Sequence, residues 1–529
     1  MTQTQLTNAG TTAQLDRVAA QLREGNLDAA ERGCREILDQ DATHARASEL
    51  LGLVACGRGD HASGLEFLRR SLALAPGRPE PYNNLASQLQ GGGEPGAVIG
   101  ILEQAVALAP ELADSHHNLG VAWLRQNAPA TAAASFERAT ELAPQRAATW
   151  LLLGNARYRR AQYAGAVDAL LRALALNPAS VQAAYHLANA LRDIGQLDAT
   201  IAHLERCLAI RPDFGAAEFS LALSYLMAGR FAPGWRAYES RWRGSGDAVR
   251  GRMKRHETRA QPWLGGPVAS DARLLVTKEQ GWGDNIMFAC YVPRLVGRFR
   301  EVGYYCPVTL ERLVRHSLGD RCIVSADRRL LHDPRFTHAT PLLSLPLAMA
   351  LDDPPGEAPY LTALPEDIER WRQKLADAPG MRIGLAWTGG RILPQRSMPL
   401  SAMAPLLRAT QATWLSLSKV SHLADEHDRA RQAGLLDWVE ECRDFADTAA
   451  LIECLDLVIS IDTAVAHLAG ALGKPVWLVN RFESDWRWLR GRTDSPWYPT
   501  MRIFTQPRPG DWDGAVAAML PELIARIGR

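Results

Sequence analysis

Three short stretches in the second half of the chain combine glycine, acid, arginine and imidazole in ways that could do chemistry. In "KEQGWGDNIMFACYVPRL", Lys278 to Leu295, the apolar run Leu274-Leu275-Val276 gives way to Gly281 and Gly283, and then to Asp284 where a helix is expected to begin. The glycines permit a tight turn, and Asp284 is expected at the N-cap of that helix. Its carboxylate either caps free N–H groups or accepts a proton from a substrate hydroxyl. Met287, Phe288, Tyr291, Val292 and Leu295 make the expected buried stripe, with Pro293 predicting a kink.

In "AWTGGRILPQRSMPL", Ala386 to Leu400, Thr388, Gly389 and Gly390 follow a strand-like run, and Arg391 and Arg396 offer charge for a phosphate. Lys419, in "SLSKVSH", is a further candidate for that role. In "VISIDTAVAHLAGALGKPVWLV", Val458 to Val479, Asp462 ends a strand, Thr463 opens a helix and His467 lies one turn inside it. A helix N-terminus presents unbonded N–H groups and the positive end of its dipole, which suits a diphosphate. Read singly, Asp462 is equally a helix cap and His467 a core histidine.

The elements that must position these loops are strands. "RLLVT", "IGLAW", "TWLSL", "LVIS" and "PVWLV" are short apolar runs separated by helical patterns, which predicts parallel sheets covered by helices on both faces. Ligands of such sheets bind beyond the carboxyl ends of strands, where all three loops fall. Two units of this kind are expected, residues 272–378 and 379–529, the second closing with the amphipathic helix "WDGAVAAMLPELIARI". Residues 244–271, rich in Arg, Gly and Pro, read as a linker that packs partly through Trp263.

Before the linker the chain repeats itself. Pro76, Pro110, Pro144, Pro178 and Pro212 close similar phrases at a constant spacing of 34, the tetratricopeptide period. Gly25, Gly59, Gly93, Asn127, Ala161, Gly195 and Gly229 share one turn position, so each unit is a pair of helices and residues 1–243 form an α-solenoid. The last unit, with "GWRAYESRW", is atypical, as a cap or junction would be. Asn84 and Asn118 share one repeat position and Asn155 and Asn189 a neighbouring one; these amides either line a protein-binding groove or are solvated and cap local turns. His116 and His117 have no third ligand at helical spacing and read as surface residues rather than a metal site.

Composition narrows the function classes. A net charge of +1 over 529 residues gives no surplus to drive binding to nucleic acid or to a membrane surface. No run of about 18 apolar residues occurs, so a soluble, cytoplasmic protein is expected. The 8 cysteines form no metal-like cluster and read as buried free thiols.

Taken together, "GWGD", "AWTGG" and "DTAVAHLAGALGKPVW" in this order and spacing resemble the GT-B glycosyltransferases related to the heptosyltransferases (glycosyltransferase family 9), over nearly all of Ala272–Arg529. "DWRWLRGRTDSPWYPTMRIF", Asp485 to Phe504, is similar to the bacterial branch that carries such a domain behind tetratricopeptide repeats, an architecture that resembles O-GlcNAc transferase. The resemblance implies an α/β GT-B fold of two Rossmann-like domains and an inverting, metal-independent transfer from a nucleotide-diphosphate sugar to a hydroxyl, with no cofactor beyond that donor. It assigns the base to Asp284 and donor binding to Asp462, Thr463, Ala464 and His467, with Gly281, Gly283, Thr388, Gly389, Arg391, Arg396 and Lys419 around the donor. No Asp-x-Asp motif stands in a metal-holding context. Trp282 replaces a smaller aliphatic residue of the relatives, which narrows acceptor access, and the second loop lacks their longer basic string. The acceptor is expected to be Ser or Thr of a protein recruited by the repeats, flagellin-like surface proteins being one such class. The alternatives are a glycan or lipid-linked acceptor in surface polysaccharide synthesis, with the repeats serving assembly, and a non-catalytic scaffold with a degenerate transferase domain.

Overall fold

The computed structural model describes residues 3–89, 95–251, 253–389, 396–409, 411–419 and 424–528. They form two compact units, Met1–Ala190 and Leu191–Arg529. Among them no helix is long and apolar enough to cross a membrane.

The first unit is helical throughout, with pairs such as Ala45–Gly57 with His61–Leu74 and Ala147–Arg159 with Tyr163–Leu176. The shared turn position is left-handed at Gly25, Gly59, Asn127 and Ala161, with φ of +77°, +85°, +57° and +56°. Glycine suits that conformation because it has no Cβ to clash, which explains its recurrence. Gly93 lies outside the described residues. A second regularity is hidden in unlike residue types. The side chains of Tyr82, His116 and Trp150 hydrogen-bond the carbonyls of Pro76, Pro110 and Pro144, at 3.0, 2.9 and 2.9 Å. Each bond occupies a carbonyl just past a helix end that has no partner within the helix. His116 therefore serves the repeat backbone.

The second unit opens with further repeat helices, Leu197–Ile210, Gly215–Met227 and Phe231–Tyr238. The atypical last repeat is atypical because its residues are buried: Trp235 packs on Phe288 at 5.9 Å and on Trp486 at 5.6 Å between ring centroids. Among the described residues ten parallel strands follow, in two sheets of five. The first sheet contains β1 (Gln261–Pro262), β2 (Arg273–Thr277), β3 (Glu301–Tyr305), β4 (Ile323–Ser325) and β5 (His338–Pro341), in the order β1-β5-β2-β3-β4. The second contains β6 (Arg382–Ala386), β7 (Thr413–Ser416), β8 (Leu457–Ile461), β9 (Val476–Asn480) and β10 (Met501–Thr505), in the order β10-β9-β8-β6-β7. The stretch read as a linker thus supplies β1, which pairs with β5, and its Trp263 is buried against Phe299.

The strand orders locate the switch points. From β2 the chain builds outward through β3 and β4, then returns to the other side of β2 with β5. From β6 it moves to β7, then returns to the other side of β6 with β8. Loops leaving the carboxyl ends of β2, β6 and β8 therefore diverge at crevices where adjoining connections run in opposite directions, the usual ligand sites of such sheets.

Candidate functional site

The loop after β2 folds differently from its expected form. The Trp282–Phe288 helix has Gly281 as its N-cap, and Asp284 is three positions inside, where its Oδ2 accepts the Gly281 N–H at 3.0 Å. Asp284 still satisfies an orphan N–H, but from within the helix and not from its cap. The left-handed residue of this loop is Gln280, at φ +57°. Gly283 is needed for a different reason: a Cβ there would stand 2.8 Å from His467 Cδ2 and 3.6 Å from the Ala464 Cα.

That contact brings the first and third loops together. Thr463 is the N-cap of the Ala464–Ala471 helix, and its hydroxyl lies 3.1 Å from Ser460 Oγ. Asp462, at the end of β8, is buried, and the first turn at Thr463, Ala464 and Val465 is half-buried. His467 is held on several sides. Its Nδ1 and the Tyr498 hydroxyl are 2.9 Å apart, its ring stacks on Trp488 at 4.9 Å, and its Nε2 is 4.0 Å from Asp462 Oδ1. Burial pushes the imidazole down to about 4, against the opposing pull of the Asp462 carboxylate, so it is neutral at physiological pH.

The second loop reaches the same place. Gly389 lies 3.9 Å, measured from the position of an added Cβ, from both Arg396 Cβ and Thr463 Cγ2. Arg396 is 3.4 Å from Asp462 Oδ2 and 3.4 Å from Asp485 Oδ2. Thr388 Oγ1 and Arg396 Nε are buried and have no hydrogen-bond partner among the described residues. Arg391 and Gly390 lie outside the described residues. Lys419, exposed beyond β7, donates to the Cys442 carbonyl rather than to this cluster.

Arg487, Asp485, Tyr498 and Trp488 complete the site; all four lie in the Asp485–Phe504 stretch that carries part of the resemblance, but no local pattern marks any of them as a site residue. Arg487 joins Asp284 Oδ1 to Asp485 Oδ1, the latter at 2.6 Å. Burial opposes the charge on Arg487, but Asp284 and Asp485 overcome it and keep the guanidinium firmly protonated. Burial likewise pushes Asp485 up, and the neighbouring Arg487 and Arg396 more than reverse this. Three carboxylates, Asp284, Asp462 and Asp485, thus interleave with two guanidiniums around the start of the Ala464–Ala471 helix. At the rim, Trp282 is 54% exposed and tilts against Phe445 at 5.7 Å.

The repeat asparagines belong to the first unit and are all half-buried. Asn84 donates to Glu49 Oε1 at 2.8 Å and Asn118 to Asn83 Oδ1 at 3.3 Å, one repeat back in each case. One N–H of each is therefore already committed to joining neighbouring repeats, and Asn189 also has interactions of its own.

Family comparison assigns a class to each half. Residues 15–79, 86–147 and 151–213 match the tetratricopeptide repeat, and residues 442–479 match glycosyltransferase family 9 (heptosyltransferase). Asp462, Thr463, Ala464 and His467 lie inside that second match, which points to a glycosyltransferase carrying tetratricopeptide repeats. Among characterised proteins the chain is similar to Protein FlbA of Caulobacter vibrioides, 27% identical over 339 residues, 58% of this chain and 55% of FlbA. It thus spans about half the length of that relative. Similar solved structures include the Cut9–Hcn1 hetero-tetramer of the APC/C, with 23% identity over 40% of this chain and 42% of that one and a TM-score of 0.37. Pseudomonas aeruginosa PilF has 19% identity over 39% of this chain and 94% of its own, also with a TM-score of 0.37.

Proposed function

We propose that the chain is an inverting, metal-independent glycosyltransferase of the GT-B type, moving a sugar from a nucleotide-diphosphate donor to a hydroxyl. The observation that carries this reading is the approach of Gly283 to His467, which sets Asp284 and the start of the Ala464–Ala471 helix side by side at two switch points. In this proposal Asp284 takes the proton of the acceptor hydroxyl. The acceptor oxygen bonds to the anomeric carbon, and the nucleoside diphosphate leaves from the opposite face with the bonding pair. Charge gathering on the departing diphosphate meets the N–H groups at Thr463 and Ala464 and the guanidinium of Arg396. Arg396 suits this role because its contacts to Asp462 and Asp485 are long, at 3.4 Å, and its Nε is unpartnered among the described residues. Thr388 Oγ1 supplies a second buried group in want of a partner. Asp284 keeps acceptor capacity, since a carboxylate has about four lone-pair sites and two partners are named for it. Arg391, Lys419 and Gly281 are assigned to the donor's surroundings on the resemblance alone.

In the same proposal, residues 1–243 recruit the acceptor, residues 244–271 connect and add β1 to the first sheet, and residues 272–378 and 379–529 are the two halves of the transferase. The acceptor is Ser or Thr of a protein held by the repeats, with Asn84, Asn118, Asn155 and Asn189 in contact with it.

Two measurements test the proposal. A ligand that binds only the folded state raises stability with the logarithm of its concentration over its dissociation constant, so one of the common nucleoside diphosphates should raise the melting temperature of wild type and much less that of Arg396→Ala. Were none of them to do so, the donor site would be refuted and a scaffold role favoured. Comparison of glycoproteins and polysaccharides in cells with and without the gene then fixes the acceptor. Loss of a polysaccharide with unchanged protein glycans would overturn the protein-acceptor assignment.

A further inference from the structure

The loop that presents Asp284 is held from behind by the last tetratricopeptide repeat. Arg241, just past the Phe231–Tyr238 helix, is fully buried. Its Nε and Nη2 donate to the two carboxylate oxygens of Glu279, both at 3.2 Å. Nη2 also reaches Ser344 Oγ at 2.7 Å, and Nη1 donates to the Tyr238 carbonyl at 3.2 Å and to Glu239. One residue further along the loop, the Gln280 side chain donates to the Tyr238 hydroxyl at 3.2 Å. Asn285 secures the loop from the other end, donating to the carbonyls of Glu279 and Gly281 at 2.9 and 2.7 Å.

These contacts fall on consecutive residues with distinct tasks. Glu279 is fixed by a fork, Gln280 is fixed while left-handed at φ +57°, and Gly281 then gives its N–H to Asp284. A non-glycine residue in that conformation is strained and persists where its surroundings over-determine it. Burial of the apolar repeat face is already supplied by Trp235 and Phe231 against Trp486 and Trp497. A buried ion pair adds little net stability over apolar packing of the same volume, and its best-attested use is to specify one arrangement. Burial pushes Glu279 up to about 7 and Arg241 pulls against it, so removing Arg241 would push the carboxyl further towards its neutral form.

We propose that Tyr238 and Arg241 are positioning residues: the terminal repeat sets the backbone of residues 279–281 and thereby the place of Asp284 against the His467 helix. This rests on the reading of Asp284 as the reacting carboxylate, and its structural half stands without it. The test uses the full chain as wild type, Tyr238→Phe, Arg241→Lys and Arg241→Met. Tyr238→Phe loses one hydroxyl and keeps the aromatic packing, so it reports even if Arg241→Met does not fold. Amide hydrogen exchange across 279–285 should speed up about tenfold in Tyr238→Phe, with the Phe231–Tyr238 helix unchanged, because a local opening is reported separately from global stability. Transfer should show kcat reduced about tenfold with the donor KM within about twofold, since a misplaced reacting group costs the transition state and not donor binding. Arg241→Lys should recover part of the loss relative to Arg241→Met. Unchanged exchange in Tyr238→Phe overturns the proposal, as does a lower kcat accompanied by a matching rise in donor KM. A wild-type protein without transferase activity sinks the functional reading instead, and the exchange rates then decide the positioning by themselves.

Discussion

Asp284 and Arg487, 203 residues apart in the chain, form an ion pair in which each side chain is almost wholly withdrawn from water. Arg487 also holds Asp485, so one guanidinium satisfies two carboxylates. Breaking a buried pair from one side strands the other charges, which costs about 3–5 kcal/mol. Arg487→Ala should lose roughly that much stability in denaturant unfolding. Arg487→Lys should lose less, because it keeps the charge but not the fork.

Gly283→Ala tests the meeting of the two switch-point loops. The new methyl would stand 2.8 Å from the His467 ring, which is pinned by Tyr498 and Trp488. Overpacking of this kind costs about 1–3 kcal/mol. A lower melting temperature together with weaker nucleoside-diphosphate binding is expected, whereas Gly10→Ala, where an added Cβ meets nothing within 4 Å, should leave that binding unchanged.

His467 sets a pH dependence whose sign follows from its burial. In the unfolded chain its imidazole titrates near 6.5 and in the folded protein near 4. Between those values the unfolded state binds the extra proton, so stability falls as pH is lowered through this window and is restored as pH rises. A tenfold difference in proton affinity between the two states is worth about 1.4 kcal/mol, so the histidine contributes roughly 3 kcal/mol in all. Glu279 works in the opposite sense: its raised value withdraws stability as pH rises from 4.5 towards 7. The difference between wild type and His467→Gln isolates the histidine, and the variant should gain less stability than wild type on going from pH 4.5 to 7, by about 2–3 kcal/mol.

In the solenoid, Ala161 occupies the turn position that glycine takes in other repeats, at φ +56°. A left-handed alanine costs about 1–2 kcal/mol, partly offset by the greater freedom of glycine in the unfolded chain. Ala161→Gly should raise stability by about 0.5–1 kcal/mol in thermal or denaturant unfolding. A loss of stability would show that the turn is held by other contacts.

How much of this is legible in the sequence depends on how local each signal is. "RLLVT", "IGLAW", "TWLSL", "LVIS" and "PVWLV" correspond to β2, β6, β7, β8 and β9, because strands buried on both faces are continuous apolar runs. The remaining strands lack that pattern. β1 is two residues long and includes a proline, β4 has three residues, and β10 is interrupted by exposed Arg502 and Thr505. β3 contains Gly303, which reads as a breaker but lies so close under Phe336 that an added Cβ would be 2.4 Å from its ring. Asp284, Asp462 and His467 stand out because a glycine turn or a strand end precedes them within a few residues. Arg487 and Asp485 do not, because their pairing is a tertiary fact. Their only trace is the density of tryptophan, arginine and aspartate in "DWRWLRGRTDSPWYPT". The two glycines suggest a helix capped by Asp284, whereas Gly281 itself fills the cap position three residues earlier.

The packing of Trp235 against Phe288 and Trp486 matters for anyone who dissects this protein. A fragment begun at the first long strand would leave a large aromatic surface wet and Glu279 without its counter-ion. Such a piece should precipitate or misfold. The place to cut lies upstream, ahead of the Leu197–Ile210 helix and close to where the compact units part, so that the closing repeats travel with the sheets they help to build.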